Sequence, residues 1–263
     1  MGNTRGRRRI SLLDELRGLS ILLMVFFHAF YLIGYEFDVT FCKTLYAFFS
    51  PAQPFFAGLF IFICGISCNL SRSNLKRGLL LAGAAALSSL LMWCAVWWRM
   101  VDNDSYIWFG ILHLLAVCIL LYALLRPTLQ YLPPLLGLVL CSMLFVLCYH
   151  IPADEGGYFG IRGLFTLWVP AAATDHPLLY AFGLCPISRC GDYFPLLPWV
   201  FCFLGGSFAG VWAARGKFPK WTYRSRFPLF GTMGRHTLII YLLHQPVLYL
   251  LCEIVSWGIR RIF

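Results

Sequence analysis

The strongest candidate for chemistry in this sequence is a histidine inside an apolar segment. The stretch LDELRGLSILLMVFFHA, residues 13–29, carries Asp14, Glu15 and Arg17 in its first turns and reaches His28 after an apolar run. An imidazole titrates near neutral pH and acts as a general base or a nucleophile, whereas a guanidinium holds phosphate or carboxylate groups. The combination indicates a site that binds an anion near a reactive imidazole.

Three of these residues share one face of the predicted helix. At about 100° per residue, Arg17 and His28 lie about 20° apart, Asp14 and His28 lie about 40° apart, and Glu15 points the other way. His28 lies ~16 Å beyond Arg17 along the axis, about half of a ~30 Å hydrocarbon core. Asp14 is expected to be structural support for Arg17, which either pairs with it or holds a phosphate. Ser11 and Asp14 together predict a capping box.

A second histidine occupies a matching position near the other end of the chain. In GRHTLIIYLLHQP, residues 234–246, His244 follows Arg235 by nine positions, which places it ~14 Å deeper. His28 and His244 are therefore expected at similar depth, and both are candidate catalytic residues. A histidine within a membrane must face the bundle or a cavity, and an interhelical hydrogen bond is the alternative role for each. Pro246 is expected to perturb the helix beside His244.

The composition predicts the class of fold that positions these residues. The 263 residues are 60% hydrophobic and 12% charged, about half the charged share of a soluble domain. Apolar runs near the ~20 residues needed to cross a bilayer recur along the chain. We therefore predict an all-α polytopic bundle with about seven transmembrane helices and no cleavable signal peptide. The predicted segments are residues 11–34, 54–71, 77–99, 106–126, 132–150, 193–214 and 233–258.

The distribution of charge predicts the orientation in the membrane. With the N-terminus in the cytosol, the inner side carries 15 of the 21 basic residues but only two of the 11 acidic residues, in agreement with the positive-inside rule. The expected organisation is a basic cytosolic tail over residues 1–9, followed by a single transmembrane domain over residues 10–263. Its external loop, residues 151–192, includes an apolar stretch at 159–173 that is interfacial or re-entrant. The expected location is the plasma (inner) membrane.

The cysteines indicate no metal site, and the sequence indicates few binding partners. Most of the 11 cysteines lie in apolar runs, where they act as small buried residues. A disulfide between Cys185 and Cys190, in an external loop, is left open. No cysteine–histidine cluster has the spacing of a zinc site, so no metal is expected. Nucleic acid is not an expected partner, since no recognition fold accompanies the basic charge. The lipid bilayer is the expected partner, and a homo-oligomer is left open.

Five stretches in order carry a resemblance to a known family. They are LDELRGLSILLMVFFHA, FIFICGISCNLSRSNLKRG, FGILHLLAVCILLY, DYFPLLPW and GRHTLIIYLLHQP. Together they resemble the catalytic region of the heparan-alpha-glucosaminide N-acetyltransferase family in its small bacterial form. The first and last stretches also resemble the related bacterial membrane O-acyltransferases. The third and fourth favour the heparan-type branch.

The resemblance implies a function and assigns residues to it. It implies transfer of an acetyl group from cytosolic acetyl-coenzyme A to an acceptor across the membrane, with His28 at the reacting centre. Coenzyme A phosphates need cations, which the inner mouth supplies. The candidate donor-binding residues are Arg17, Arg72, Lys76, Arg77 and Arg235. Membrane topology alone also explains part of this charge. The chain is shorter than the lysosomal enzyme, so its acceptor need not be glucosamine.

Several alternatives stay open at this point. His28 either deprotonates an acceptor amine or hydroxyl directly or carries the acetyl group as a covalent acetyl-histidine. His244 either orients the acceptor or polarises the thioester carbonyl. On the outer side, His113 and Asp192 are candidate contacts to a sugar or glycan acceptor, with packing and an exposed loop acid as their alternatives. A small-molecule or ion transporter with a histidine-lined path is the rival class.

Overall fold

The computed structural model describes residues 9–99, 106–153, 156–172, 176–185 and 192–262, without the side chains of residue 256 and residues 258–262. All of the predicted basic tail except Arg9 therefore lies outside the described residues. So does Cys190, half of the disulfide that the sequence left open. The described chain divides into two compact units. Unit 1 combines residues 1–60 with residues 218–263, and unit 2 comprises residues 61–217.

Unit 1 is built from helices at both ends of the chain. Its helices are α1 (Ser11–Tyr31), α2 (Thr40–Phe49), the first half of α3 (Gln53–Cys68), α9 (Pro228–Arg235) and α10 (Thr237–Ile262). Short helical turns over Leu32–Glu36, Ser50–Ala52 and Lys220–Tyr223 connect or precede them. α1 packs against α9, α10 and α2, so it is the central helix of this unit.

The start of α1 differs from the predicted capping box. The helix begins at Ser11, but its N-cap residue is Ile10 and no side chain caps it. The Ser11 hydroxyl donates to the carbonyl oxygen of Tyr223 at 3.1 Å, and the Asp14 carboxylate binds arginine side chains instead of backbone N–H groups. The capping-box prediction is therefore wrong, because a tertiary partner binds the Ser11 side chain and two nearby arginines bind the Asp14 side chain.

The loop between α1 and α2 is held by a local ion pair. Asp38 has a positive φ of 55°, a conformation that its short polar side chain tolerates. The Lys43 ammonium donates to its carboxylate at 2.5 Å. This hydrogen bond, together with the charge of Lys43, lowers the pKa of Asp38.

The last predicted segment, 233–258, is two helices rather than one. α9 ends at Arg235, and α10 begins at Thr237 after a single non-helical residue, His236. Pro246 lies inside α10, which continues to Ile262. The break places Arg235 on a different helix from His244, so the distance between them is no longer set by one helical axis.

Unit 2 contains the remaining elements. They are the second half of α3, α4 (Asn74–Trp97), α5 (Ile111–Leu129), α6 (Pro134–Cys148), β1 (Gly157–Ile161), β2 (Phe165–Val169), α7 (Pro177–Phe182) and α8 (Leu196–Ala214). α4 packs on α5, and α8 packs on both α5 and α6. The core of this unit is apolar, with Leu114, Ile119 and Phe203 at 0% exposure.

Glycines and one polar network fix the contact between α3 and α8. A side chain at Gly206 or Gly210 would collide with the backbone carbonyls of Phe62 or Ile66, so the two helices approach at backbone distance. Beside them, Asn69 donates to the Ser207 carbonyl at 2.6 Å and accepts from the Tyr122 hydroxyl at 3.1 Å. Satisfied polar groups of this kind hold helices in register within an apolar environment.

Residues 159–169 of the predicted apolar stretch form most of a β-hairpin. β1 and β2 pair antiparallel, with Gly157 opposite Val169 and Ile161 opposite Phe165. The hairpin is apolar on both faces, since Leu164, Leu167 and Trp168 are each more than 60% exposed. Its two outer edges have no third strand in the described sheet. The expected interfacial position of this stretch stays a prediction.

The polytopic all-α class is confirmed. Six helical stretches of the described chain are long and apolar enough to cross a membrane: Ser11–Glu36, Thr40–Cys68, Asn74–Trp97, Ile111–Leu129, Leu196–Ala214 and Thr237–Val255. The seventh predicted segment, 132–150, corresponds to α6, which has 15 residues. At 1.5 Å per residue α6 is about 22 Å long, short of a ~30 Å hydrocarbon core.

Candidate active site

Unit 1 brings the two predicted catalytic histidines into direct contact. His28 Nδ1 on α1 lies 2.7 Å from His244 Nε2 on α10. The two rings are nearly parallel, with an interplanar angle of 16° and centroids 5.0 Å apart. His244 is buried at 7% exposure, whereas His28 keeps part of its surface exposed. A carbonyl oxygen completes the group, because His244 Nδ1 lies 2.5 Å from the carbonyl oxygen of Tyr241.

Aromatic rings surround this histidine pair. Phe27, the neighbour of His28, is buried and packs against Tyr46 of α2 at 4.7 Å between ring centroids, and against Phe56 of α3 at 6.1 Å. The Tyr241 ring lies 5.4 Å from the His244 ring. Apolar rings lower the local dielectric, so hydrogen bonds within the pair are stronger than they would be in water.

Asp14 and Arg17 form an ion pair at the start of α1. The Asp14 carboxylate accepts from Arg17 Nη1 at 2.9 Å and from Arg9 Nε at 2.5 Å. Asp14 is 7% exposed, while the side chains of Arg17 and Arg9 are 20% and 61% exposed. Of the two roles that the sequence left open for Arg17, the structure contains the pairing with Asp14. That pairing orients the guanidinium on the helix that also carries His28.

Glu15 is a site-supporting residue that sequence reasoning set aside. It is 5% exposed, and its Oε1 atom accepts from Ser225 Oγ and Arg226 N, both at 2.8 Å, and from Phe227 N at 3.0 Å. These contacts anchor the chain just before α9. The available signal was an acid in the first turn of an apolar helix, about 100° around the axis from Asp14, because such a charge needs a partner of its own.

Close backbone contacts lock α1 to α9. A side chain at Gly18 would collide with the backbone of Phe230, and one at Gly234 would collide with the backbone of Asp14. Glycine at both positions therefore lets the helices touch. The contact places Arg235, at the end of α9, in the same unit as Arg17. Arg235 is exposed, and its Nη2 donates to Thr232 Oγ1 at 2.8 Å.

The candidate donor-binding residues of unit 2 cluster at the start of α4. Ser73 caps this helix by accepting from Lys76 N at 3.3 Å. Arg72 and Lys76 are exposed. Arg77 instead turns toward the end of α3, where its Nη1 donates to the Ser67 carbonyl at 3.3 Å. Arg77 therefore satisfies a carbonyl near the C-terminus of α3, a stabilising arrangement for a cation.

His113 and Asp192 lie at the start of α5 in unit 2. His113 Nδ1 accepts from the Gly110 N–H at 3.3 Å, and Nε2 lies 3.3 Å from Ser89 Oγ, so both ring nitrogens have protein partners. Asp192 is 6% exposed, and its carboxylate lies against Gly110. The interpretation of Asp192 as an exposed loop acid is therefore wrong, because the residue packs beneath the α5 N-terminus.

The predicted site residues thus fall into two groups. Unit 1 holds Asp14, Arg17, His28, Arg235 and His244, whereas unit 2 holds Arg72, Lys76, Arg77, His113 and Asp192. Among the described residues, no group of three or more histidine, cysteine or acidic side chains is arranged to hold a metal ion.

Comparison with known proteins supports the resemblance drawn from the motifs. A family model described as heparan-alpha-glucosaminide N-acetyltransferase, catalytic, matches residues 9–246. That range contains α1 with His28 and reaches past His244 in α10. Searches of curated proteins and of solved structures found no match. Because the family model covers most of the chain, the predicted family is confirmed: this multi-pass membrane protein belongs to the heparan-alpha-glucosaminide N-acetyltransferase catalytic family.

Proposed function

We propose that this chain transfers an acetyl group from cytosolic acetyl-coenzyme A to an amine or hydroxyl of an acceptor across the plasma membrane. The acceptor class that we propose is a sugar or cell-envelope glycan. The observation that carries the proposal is the 2.7 Å contact between His28 and His244 in a chain of an acetyltransferase family. A histidine pair within membrane-spanning helices is costly unless it serves a function or a buried network.

The donor is proposed to bind through cations at the cytosolic ends of the helices. Coenzyme A carries phosphate groups, which bind guanidinium and ammonium groups. In unit 1, which also holds the histidine pair, Arg17 and Arg235 supply these groups. The donor contacts of Arg72 and Lys76, which are exposed in unit 2, stay predictions from the sequence. Arg77 is proposed to support α3 and α4 instead, since its guanidinium donates to the Ser67 carbonyl.

The chemistry assigned to His28 is removal of a proton from the acceptor. As the acceptor nitrogen or oxygen bonds to the acetyl carbon, its proton moves to the His28 imidazole and the carbon–sulfur bond breaks. The proton then passes to the coenzyme A thiolate, which leaves as the thiol. In the covalent variant, His28 itself takes the acetyl group, the thiol leaves, and the acceptor attacks the acetyl-imidazole in a second step.

The two outer-side candidates receive supporting roles. We assign packing to His113, because both ring nitrogens already have protein partners. Asp192 is assigned support of the α5 N-terminus, where a carboxylate interacts favourably with the helix dipole. Its low exposure of 6% argues against direct contact with the acceptor.

The test is acetyl transfer by purified protein. Protein in nanodiscs is incubated with acetyl-radiolabelled acetyl-coenzyme A, with and without extracted cell-envelope glycans. We expect labelled glycan with the native chain and a loss of at least about 10²-fold with His28→Ala. His150→Ala, which changes an exposed histidine outside the site, serves as the matched control.

The outcomes separate the candidate functions. Normal turnover by a folded His28→Ala variant would contradict the role of His28. Absence of any saturable acetyl-coenzyme A binding would contradict the acetyltransferase and favour the transporter. Label retained on the protein without an acceptor, and absent from His28→Ala, would identify the covalent variant.

A further inference from the structure

We infer that His244 is a positioning residue that fixes the tautomer of His28 and leaves Nε2 of His28 as the reacting atom. The inference rests on the proposed acetyl transfer and adds an atomic assignment to it. It replaces both roles left open for His244, namely orienting the acceptor and polarising the thioester carbonyl. The three groups that carry it are the Tyr241 carbonyl, His244 and His28, all within unit 1.

The first step concerns the proton on His244. A carbonyl oxygen only accepts hydrogen bonds, and the Tyr241 oxygen lies 2.5 Å from His244 Nδ1. Nδ1 must therefore carry a proton and donate it. A neutral imidazole has one N–H group, and the hydrogen bond at one nitrogen sets the state of the other. Nε2 of a neutral His244 is consequently a bare acceptor.

The second step passes this constraint to His28. His28 Nδ1 lies 2.7 Å from the bare His244 Nε2, so a hydrogen bond requires the proton to be on His28 Nδ1. The lone pair of neutral His28 is then on Nε2. Within the described part of the chain, Nε2 of His28 has no hydrogen-bond partner. Among the described residues, the one nitrogen of the pair without a protein partner is thus unprotonated, and its lone pair is not used in a hydrogen bond.

The third step is chemical. When His28 Nε2 takes the acceptor proton, His28 becomes positively charged. Its Nδ1–H then donates to the neutral His244, and His244 in turn donates to the Tyr241 carbonyl. The aligned dipoles of the His244 ring and of this carbonyl therefore stabilise the positive charge on His28. A third group that orients a catalytic histidine and stabilises its charged form follows the same logic as the acid in a serine–histidine–acid triad. Since both His244 nitrogens are occupied by protein, His244 has none left for substrate.

The direct test is the protonation state of each ring. Nitrogen NMR of ¹⁵N-histidine-labelled full-length protein in nanodiscs distinguishes protonated from bare ring nitrogens, and His28→Gln and His244→Gln assign the signals. We expect Nδ1 protonated and Nε2 bare in both His28 and His244. In His244→Phe, which removes the acceptor, His28 should lose this preference. A protonated Nε2 on His28 in the native protein would overturn the inference.

A kinetic test separates positioning from packing. The glutamine of His244→Gln places an acceptor oxygen near the former Nε2, whereas the ring of His244→Phe fills space without an acceptor. We expect His244→Gln to keep kcat within about 10-fold and His244→Phe to lose about 10²- to 10³-fold, with the acetyl-coenzyme A KM unchanged in both. Equal losses of kcat would overturn the inference. The NMR result does not depend on acetyl transfer, so failure of the proposed function would be seen separately.

Discussion

Replacement of Gly18 by alanine tests the close packing of α1 on α9. The added Cβ would overlap the carbonyl oxygen, carbonyl carbon and Cα of Phe230. All three are backbone atoms, so no side-chain rotation relieves the overlap. Normal contact between carbon atoms needs about 3.5–4.0 Å. α1 and α9 must therefore move apart by about 1 Å or more, which also weakens their contact at Gly234.

The expected cost follows from two opposing effects. Overpacking of a well-packed contact costs about 1–3 kcal/mol, and alanine gains about 1 kcal/mol over glycine inside a helix. The net loss for Gly18→Ala is then about 0–2 kcal/mol, which lowers the unfolding temperature of a chain of this size by up to about 8 °C. The matched control is Gly83→Ala in α4, where an added Cβ meets nothing within 4 Å. There the helix gain stands alone, and we expect about 2–4 °C of stabilisation.

The assay is thermal unfolding of both variants in the same detergent, followed by tryptophan fluorescence. The difference between the two variants removes the helix gain that they share and isolates the steric cost. Gly18→Ala should also raise the KM for acetyl-coenzyme A, since a displaced α9 moves Arg235. An unfolding temperature for Gly18→Ala equal to or above that of Gly83→Ala would refute the assigned contact.

Two further predictions address the contacts of Glu15 before α9 and the position of the β-hairpin. Glu15→Ala removes the shared acceptor of three hydrogen bonds. It should cost about 3 kcal/mol of stability, measured as a drop of about 6–12 °C in unfolding temperature. Glu15→Gln keeps an acceptor oxygen and should cost less, so an equal drop in the two variants would contradict this account. The hairpin should lie at the lipid–water interface, because its unpaired edges cannot enter hydrocarbon while its faces are apolar. The difference in fluorescence between the native chain and Trp168→Phe is the signal of Trp168. Lipids brominated near the headgroup should quench this signal more than lipids brominated near the chain end, and the reverse order would place the hairpin elsewhere.

Much of the helical architecture could be predicted from local patterns. Long apolar runs require helices that satisfy their own backbone hydrogen bonds in lipid, and five motifs indicated the family that the comparison confirms. The break at His236 was not predicted, because no proline marks it and the polar residues Arg235 and His236 were interpreted as the cytosolic end of one helix. The hairpin was predicted only as an apolar stretch, since a short apolar run does not distinguish strand from helix.

The charged residues of α1 show where local reasoning ends. The spacing of Asp14 and Arg17 brings them within reach on any helix, and the structure contains their ion pair. The same spacing turned Glu15 away from that face, correctly, but did not identify its partners. Those partners are residues 225–227, more than 200 positions away, and no local pattern connects them to Glu15.

The sequence by itself determined that two histidines lie within apolar helices and how far His28 lies beyond Arg17 along α1, because helical rise and periodicity depend only on spacing along one helix. The depth of His244 could not be determined in this way, because α9 ends at Arg235. The tertiary structure decided that His28 and His244, 216 positions apart, meet at 2.7 Å. That contact depends on how α1 and α10 rotate about their axes when they pack. Rotation is set by side-chain packing across the interface between helices. The proposed direction of the hydrogen bonds in the pair depends on that packing together with the contact between His244 Nδ1 and the Tyr241 carbonyl within α10.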